Sequence, residues 1–156
     1  MATRTPPKGI ARWFMRMPIA FYRLGLGGLL GGRFLLLNHV GRKSGLPRQV
    51  VLEVVNHDPA TGNYTVASGF GATSDWYRNL QAAPDVTIQV GRKKMAVTAH
   101  FLSQSEGGEV MMDYAQRYPK AALALSKTLG YPVGQGTPEE YRSVGEGIPF
   151  VEFRPR

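Results

Sequence analysis

The sequence predicts an α+β fold that is mainly β, a small barrel or strongly curled sheet with helices at its edges. Short runs rich in β-branched and aromatic residues are separated by glycine-containing turns, as in hairpins of antiparallel strands. The predicted elements run helix, three strands, helix, two strands, helices and strand, which is not the strand–helix alternation of a doubly wound fold. A chain of 156 residues suits one domain, and we assign all of it to a single domain.

Residues 1–33 are predicted to form a loose tail, an amphipathic helix and a glycine-rich connector. Ile10, Trp13, Phe14 and Met17 lie on one face of that helix, and cations recur on another face. Such a helix is typical both of peripheral membrane contact and of packing on its own domain. Because no stretch of roughly 20 unbroken apolar residues occurs and no cleavage site follows, we expect a cytoplasmic protein, with membrane association through this helix left open.

Six strands are predicted after the connector. The first is mostly apolar, as is typical of a strand buried on both faces, and the second is its hairpin partner. Turn residues of the types Asp, Pro, Gly and Asn separate the second strand from the third. In chain order the predicted strands are RFLLLNHV, PRQVVLEVVNH, YTVASG, PDVTIQV, KKMAVTAHFL and IPFVEFRP.

The first helix predicted after the strands begin has the sequence GATSDWYRNLQAA, and Ser74 or Asp75 is expected to cap it. Apolar residues at helical spacing predict which side of it faces the core. The predicted inner face consists of Trp76, Tyr77, Leu80 and Ala83.

Further helices are predicted after the second hairpin. Pro119 is expected to end or kink the first of them, and the next one closes at Gly130. Thr137 and Glu140 have the spacing of a capping box, with Pro138 at the first helical position. Before Pro119, one helix face is predicted to carry Val110, Met111, Tyr114, Ala115 and Tyr118.

The charge balance predicts an anionic partner. Nineteen basic residues against eleven acidic ones give a net charge of +8, which suits a nucleic acid, an anionic membrane or a polyanionic small molecule. No cysteine is present and the three histidines are scattered, so we predict no disulfide and no metal site. The stretch GRKSG does not match a phosphate-binding P-loop, and VASGFG lacks the first glycine of a nucleophile elbow.

The stretch GRKSGLPR, residues 41–48, is the best candidate for the anion site. It places Arg42, Lys43 and Arg48, together with the Ser44 hydroxyl, around a glycine-containing turn. Arginine gives planar, bidentate recognition of phosphate or carboxylate, and lysine adds a point charge. A second candidate is SGFGATSDWY, where a glycine loop leads into a helix N-terminus. The alternative reading is an ordinary charged hairpin beside a helix whose Trp76 belongs to the core.

Three stretches, LLNHVGRKSGLPR, YTVASGFGA and DWYRNLQAAPDVTIQV, occur in this order between residues 34 and 102. Together they resemble the deazaflavin-dependent nitroreductase family of F420H2-dependent oxidoreductases. The resemblance implies a split β-barrel of about six mostly antiparallel strands with peripheral helices, and coenzyme F420, a polyanion with a phosphate and a polyglutamate tail. This chain has Ser74-Asp75 where many members carry a proline, so its substrate is less defined than its coenzyme.

The resemblance also implies roles for particular residues. The turn residues would bind the phosphate and glutamates. Residues early in the second strand would lie along the coenzyme, and residues at the end of the third strand and in the loop after it would lie near it. Trp76 would lie close to the deazaflavin. The implied coenzyme-binding residues are Arg42, Lys43, Ser44, Arg48, Val50, Val51, Leu52, Ala67, Ser68, Gly71, Ala72 and Trp76.

We therefore predict an F420H2-dependent reductase that passes a hydride to a small electrophilic acceptor, namely a quinone, an activated alkene or a nitro compound. A proton donor is also needed, and the candidates are Tyr77, Ser68 and Tyr118. The first alternative is a non-catalytic protein that binds F420 or a fatty acid. An FMN-binding or nucleic-acid-binding protein is a lower-ranked alternative. We expect no nucleic acid partner, and a homodimer is left open.

Overall fold

The computed structural model describes residues 33–68 and 71–156. The predicted amphipathic helix and glycine-rich connector lie outside these residues, and so does the membrane contact predicted for that helix. Within the described part of the chain, no helix is long and apolar enough to cross a membrane.

Six antiparallel strands close into a barrel, which confirms the predicted fold class. The neighbour order around the barrel is β1-β2-β3-β6-β5-β4, and β4 pairs with β1 to complete the circle. Each predicted strand is present with small shifts at its ends. The strands are β1 Phe34–Val40, β2 Pro47–Asp58, β3 Asn63–Ala67, β4 Asp85–Val90, β5 Lys93–Phe101 and β6 Phe150–Pro155.

The barrel interior is filled by alternate residues of each strand, as the two-residue period of a strand requires. Leu35 and Leu37 of β1 face inward, and on β2 the inward residues are Val50, Leu52 and Val54. Large apolar side chains from the other strands complete this core. They include Val66, Ile88, Val97, Val151 and Phe153, all of them fully buried.

In the described part of the chain, four helices surround the barrel, and a short 3-10 turn at Gly71–Thr73 precedes them. Helix α1 begins one residue after Ser74, as predicted, but the Ser74 hydroxyl makes no capping bond. Serine and threonine capping boxes start α2 and α4, and the predicted Thr137–Glu140 box is confirmed. The helices are α1 Asp75–Ala82, α2 Gln104–Arg117, α3 Pro119–Thr128 and α4 Pro138–Gly147.

Two predictions about helix faces are wrong. Ala83 is exposed and lies beyond the end of α1, whereas Asn79 takes its place on the buried face with Trp76 and Leu80. Tyr118 is 55% exposed because the chain leaves α2 there and begins α3 at Pro119. A change of helix axis at one residue carries the side chain off the face that the spacing had assigned to it.

Helices α2 and α4 approach each other through glycines that the sequence analysis did not use. A Cβ atom at Gly107 would lie 2.6 Å from the Gly145 carbonyl oxygen, and one at Gly145 would collide with the Gly107 backbone and with Met111. Both glycines are buried beside a hydrophobic cluster outside the barrel interior, which includes Met111 and Phe150. The missing side chains therefore allow the two backbones to touch.

Replacing Gly145 by alanine is expected to destabilise the protein by about 1–3 kcal/mol, the usual cost of adding a methyl group to a packed core. The free energy of unfolding from urea titration measures the effect. Gly108→Ala is the matched control, because a Cβ there would come no closer than 3.1 Å to the Arg142 side chain and 3.2 Å to the Arg142 carbonyl oxygen and the Glu146 side chain. Equal stabilities for the two variants would contradict the packing role of Gly145.

Candidate functional site

One end of the barrel gathers most of the residues that the sequence analysis singled out. The strand pairing places the C-terminal ends of β1, β3 and β5 beside the N-terminal ends of β2, β4 and β6. Helix α1 follows β3 and contacts both β1 and, through Tyr77, the end of β5. The predicted anion site and the predicted ring-binding helix therefore lie at the same end.

The cationic turn, residues 41–48, joins β1 to β2 and includes the first two residues of β2. The Gly41 N–H donates to the Leu46 carbonyl at 2.9 Å, and the Gly45 N–H donates to the Gly41 carbonyl at 2.8 Å. Gly45 has a φ of 71°, and a Cβ at Gly41 would lie 2.5 Å from the Ser44 hydroxyl oxygen. The backbone of the turn thus favours glycine at position 45, and a side chain at position 41 would displace the Ser44 hydroxyl.

Arg42 is directed toward helix α1. Its backbone N–H and its guanidinium NH1 group both donate to the Asn79 side-chain oxygen, at 3.0 Å and 2.9 Å. The guanidinium also forms an ion pair with Asp75 at 3.2 Å. Of the three cations in the turn, Arg42 is therefore the one whose charge is already matched by a carboxylate.

A buried histidine completes this contact. The Asn79 oxygen accepts two hydrogen bonds from Arg42, so its NH2 group faces the His39 ring and donates to Nδ1 at 3.0 Å. His39 must then be neutral with its proton on Nε2. Burial, the largest cause, and the nearby Arg48 guanidinium lower the pKa of His39 from 6.5 to about 4, and Asp75 opposes the change.

Lys43, Ser44 and Arg48 remain on the exposed surface of the turn. No carboxylate in residues 33–68 and 71–156 forms an ion pair with Lys43 or Arg48. The Ser44 hydroxyl oxygen accepts the Leu46 N–H at 3.2 Å and keeps its own proton available. These two uncompensated cations and a hydroxyl form the part of the turn that suits an anion.

The loop from β3 to α1 is organised around Ser68. Its hydroxyl donates to the Gly71 carbonyl at 2.6 Å and lies 3.2 Å from the Ser74 hydroxyl, and the side chain is 2% exposed. Gly71, which is buried, has a φ of 75°, and Ala72 packs against the barrel core. Ser68 is therefore engaged in holding the loop, and Ala67 ends the strand beside it.

Aromatic side chains cover the opposite part of α1. Tyr77 packs edge-on against Phe101 with ring centroids 5.2 Å apart and against Trp76 at 6.0 Å. Burial raises the pKa of the Tyr77 hydroxyl above its ordinary value of 10.0, so that it is protonated at neutral pH. Trp76 itself is largely buried in the barrel core, and Phe101 is partly exposed.

Two of the predicted site residues, Val51 and Tyr118, do not lie with the others. Val51 lies on a different face of β2 from its neighbours, and Tyr118 lies far from the cationic turn. Val50 and Leu52 point into the barrel, whereas Val51 points to the outer face, because side chains alternate along β2. Tyr118 lies next to Arg117, whose guanidinium donates to Asn56 of β2 at 3.1 Å. Asn56 is eight residues from Arg48, which is about 25 Å along a strand.

Asn79 and His39 were not identified from the sequence as site residues. Asn79 follows Trp76 by three positions, so its place on the buried face of α1 could have been read from helical spacing. A polar residue on a buried helix face needs a partner, and this requirement was the available indication. That the partners would be Arg42 and His39 follows only from the register of β1.

The fold and this end of the barrel define a class of protein, the closed six-stranded antiparallel barrels that carry an exposed cationic turn beside a helix. Solved structures of this fold include an F420-H2 dependent reductase, FDR-A, with a TM-score of 0.52 and 24% identity, covering 78% of this chain and 94% of that chain. Another, described as a domain-swapped dimer, has a TM-score of 0.55 and 22% identity and covers 94% of this chain and 100% of that one. At these identities the likeness concerns the fold.

Sequence relatives identify the family. A profile of the F420H(2)-dependent quinone reductase family matches residues 14–130. An F420H(2)-dependent quinone reductase of Mycobacterium tuberculosis is 35% identical over 104 residues, covering 58% of this chain and 69% of the relative. A second protein of that species, provisionally given the same name, is 36% identical over 136 residues, covering 86% of this chain and 99% of the relative. The chain belongs to the F420H(2)-dependent quinone reductase family.

Family membership confirms the predicted enzyme class and coenzyme. The protein is an F420-dependent oxidoreductase, and its cofactor is coenzyme F420 rather than FMN. The residues of the turn fit that group, because a phosphate with a polyglutamate tail needs several donors and uncompensated cations. Lys43 and Arg48 are exposed and form no ion pair within the described residues, and Ser44 adds a hydroxyl beside them.

The buried neutral His39 is expected to make stability depend on pH. Its pKa is about 4 in the folded protein and 6.5 when unfolded, so its contribution is complete above pH 6.5 and is lost as the pH falls toward 4. The full difference corresponds to about 3 kcal/mol. Urea unfolding of the wild type and of His39→Gln at several pH values isolates this contribution. Parallel pH dependences for the two proteins would contradict it.

Proposed function

We propose that this protein reduces a quinone with electrons from reduced coenzyme F420. The observation that carries the proposal is a turn beside a helix with an aromatic pair, in a chain of the F420H(2)-dependent quinone reductase family. Two cations of this turn, Lys43 and Arg48, form no ion pair with any residue that the structure describes. When bound, the reduced coenzyme supplies a hydride to the acceptor. The quinone is preferred over an activated alkene or a nitro compound because the curated relatives are named quinone reductases.

The cations of the turn take different parts in holding the coenzyme. Lys43 and Arg48 bind the phosphate and glutamate groups, and the Ser44 hydroxyl donates a further hydrogen bond. Arg42 serves first to hold the turn against α1, since its guanidinium already donates to Asp75 and Asn79. The other residues proposed to lie along the coenzyme are Val50, Val51, Leu52, Ala67, Ser68, Gly71, Ala72 and Trp76.

Tyr77 is the proposed proton donor. Reduction of a quinone to a hydroquinone takes one hydride and one proton, and the oxygen that becomes negative as the hydride arrives needs that proton. A protonated tyrosine can give it and be reprotonated from water. The position of Tyr77 beside the partly exposed Phe101 supports this assignment, and its hydroxyl, whose pKa is raised by burial, is protonated at neutral pH. The Ser68 hydroxyl is engaged with Gly71, and Tyr118 lies beyond the end of α2, which makes both weaker candidates.

A protein that holds F420 without turnover is the main alternative, and it would use the same binding residues. Oxidation of F420H2 in the presence of a menaquinone analogue distinguishes the reductase from the non-catalytic binding protein. The oxidation is monitored by the recovery of the absorbance of the oxidised coenzyme. Nitro compounds and activated alkenes serve as comparison acceptors in the same assay. Binding of F420 with no oxidation by any acceptor would favour the alternative.

A homodimer is proposed by analogy with the solved dimer of the same fold, and sedimentation tests it.

Lys43→Ala and Arg48→Ala are each expected to weaken F420 binding by about ten- to hundredfold, because each removes one charge-assisted hydrogen bond. Fluorescence titration with the coenzyme measures the dissociation constants. The matched controls are Lys93→Ala and Arg92→Ala, which remove the same charges from the exposed Gly-Arg-Lys turn between β4 and β5. Equal losses at the two turns would mean that overall charge, rather than the cationic turn, holds the coenzyme.

Tyr77→Phe is expected to lower turnover on the order of a hundredfold while changing the dissociation constant of F420 little, because the ring remains and only the proton is lost. Steady-state kinetics and coenzyme titration separate the two effects. Ser68→Ala and Tyr118→Phe are measured alongside. Unchanged turnover in Tyr77→Phe would remove this residue from the mechanism, and a large loss in either comparison variant would transfer the role.

A further inference from the structure

Asn79 is the buried connection between helix α1 and the cationic turn. Its side chain is 4% exposed, and each of its polar atoms is engaged. The oxygen accepts from the Arg42 N–H and from the Arg42 guanidinium, and the NH2 group donates to His39 of β1. One amide therefore joins helix α1 to Arg42 and His39, which precede Asn79 by 37 and 40 residues.

The other link between the turn and α1 is much weaker. Asp75 pairs with Arg42 at 3.2 Å, but the Asp75 side chain is 80% exposed, and an exposed ion pair is worth little because water and salt compete for it. Loss of the Asn79 amide would leave the partly buried Arg42 N–H and the buried His39 Nδ1 without these partners. The position of the turn relative to α1 consequently depends on Asn79 more than on Asp75.

That relative position matters because the two elements would hold opposite ends of one ligand. The turn presents Lys43 and Arg48 to the anionic tail, and α1 presents Trp76 and Tyr77 near the ring. A ligand held at two points binds tightly only when the distance between the points is preset, since otherwise binding must order them. A residue that ties the two elements together can therefore affect affinity without touching the ligand.

We propose that Asn79 is a positioning residue for the coenzyme, which acts through Arg42 to hold the cationic turn at a fixed place relative to helix α1. This inference rests on the proposed coenzyme site and adds a residue to it. Removal of the amide is expected to weaken F420 binding by roughly ten- to hundredfold, the range seen when residues that orient metal ligands are changed. A deazaflavin ring without phosphate and glutamates should bind as before, because the turn does not hold it.

The test is a double-mutant cycle with Asn79→Leu, Arg42→Ala and the two combined, titrated with F420 and with the ring fragment. If Asn79 acts through Arg42, the loss of F420 affinity in the combined variant is smaller than the two separate losses added as free energies, because both changes remove the Arg42 guanidinium bond to Asn79 while Arg42→Ala keeps only the backbone one. Fully additive losses, or wild-type affinity in Asn79→Leu, would overturn the proposal while leaving the coenzyme site intact. Failure of the wild type to bind F420 would instead overturn the proposed function and this inference with it.

A second variant covers the case in which Asn79→Leu folds poorly. Asn79→Asp still accepts from Arg42 but cannot donate to a neutral His39, so F420 affinity should stay within about threefold of the wild type while His39 becomes easier to protonate. The His39 ring titration, followed by NMR in the coenzyme-free protein, is the readout that does not depend on activity. An F420 affinity as low as that of Asn79→Leu would contradict the route through Arg42.

The matched control is Asn56→Leu. Asn56 also accepts a hydrogen bond from an arginine, Arg117 at 3.1 Å, but it lies near the other end of β2. Melting temperatures of all variants show how much of any loss comes from general destabilisation. If Asn56→Leu weakened F420 binding as much as Asn79→Leu at a similar melting temperature, the effect would be one of stability and the positioning role would be refuted.

Discussion

Closure of the sheet by the pairing of β1 with β4 is the constraint on which the rest of the molecule depends. The contact is short, with Leu36, Leu37 and Asn38 opposite Gln89, Ile88 and Thr87. It removes the two strand edges that an open sheet would leave unpaired. It also sends Leu37 and Ile88 into a common core, where both side chains are fully buried. Every turn of the barrel then lies at one of two ends.

The closed barrel explains why residues distant in sequence form one site. The cationic turn leaves β1 at the end where β3 also finishes, so that helix α1 can bridge the opening from β1 to the end of β5. On one side of this bridge Asn79 meets Arg42 and His39, and on the other Tyr77 meets Phe101. The charge of the turn is divided as a result. Arg42 is paired with Asp75 and Asn79, whereas Lys43 and Arg48 form no ion pair within the described residues, which leaves their charge available to the ligand that we propose.

The elements and the family could be predicted from the sequence because their patterns are local. Alternating β-formers, glycine turns and the capping box at Thr137 each act within a few residues, and the structure bears them out. The face of Tyr118 could not be predicted, because it depends on a change of axis between two helices. The Gly107–Gly145 contact and the role of Asn79 depend on distant partners, which spacing along a single chain does not reveal.

The two Gly-Arg-Lys turns of this chain show how far a short motif defines a site. Gly41 and Gly91 each begin such a turn between antiparallel strands, and the following cations are the same in kind. The turn after Gly91 lies at the barrel end away from α1, where the Gln89 side chain donates to the Gly91 carbonyl at 3.1 Å. The turn after Gly41 has a helix beside it, and Asn79 from that helix fixes both the backbone and the side chain of Arg42. The Gly-Arg-Lys sequence supplies charge in both places. A turn must also be held against a second element if that charge is to have the fixed position that a binding site requires.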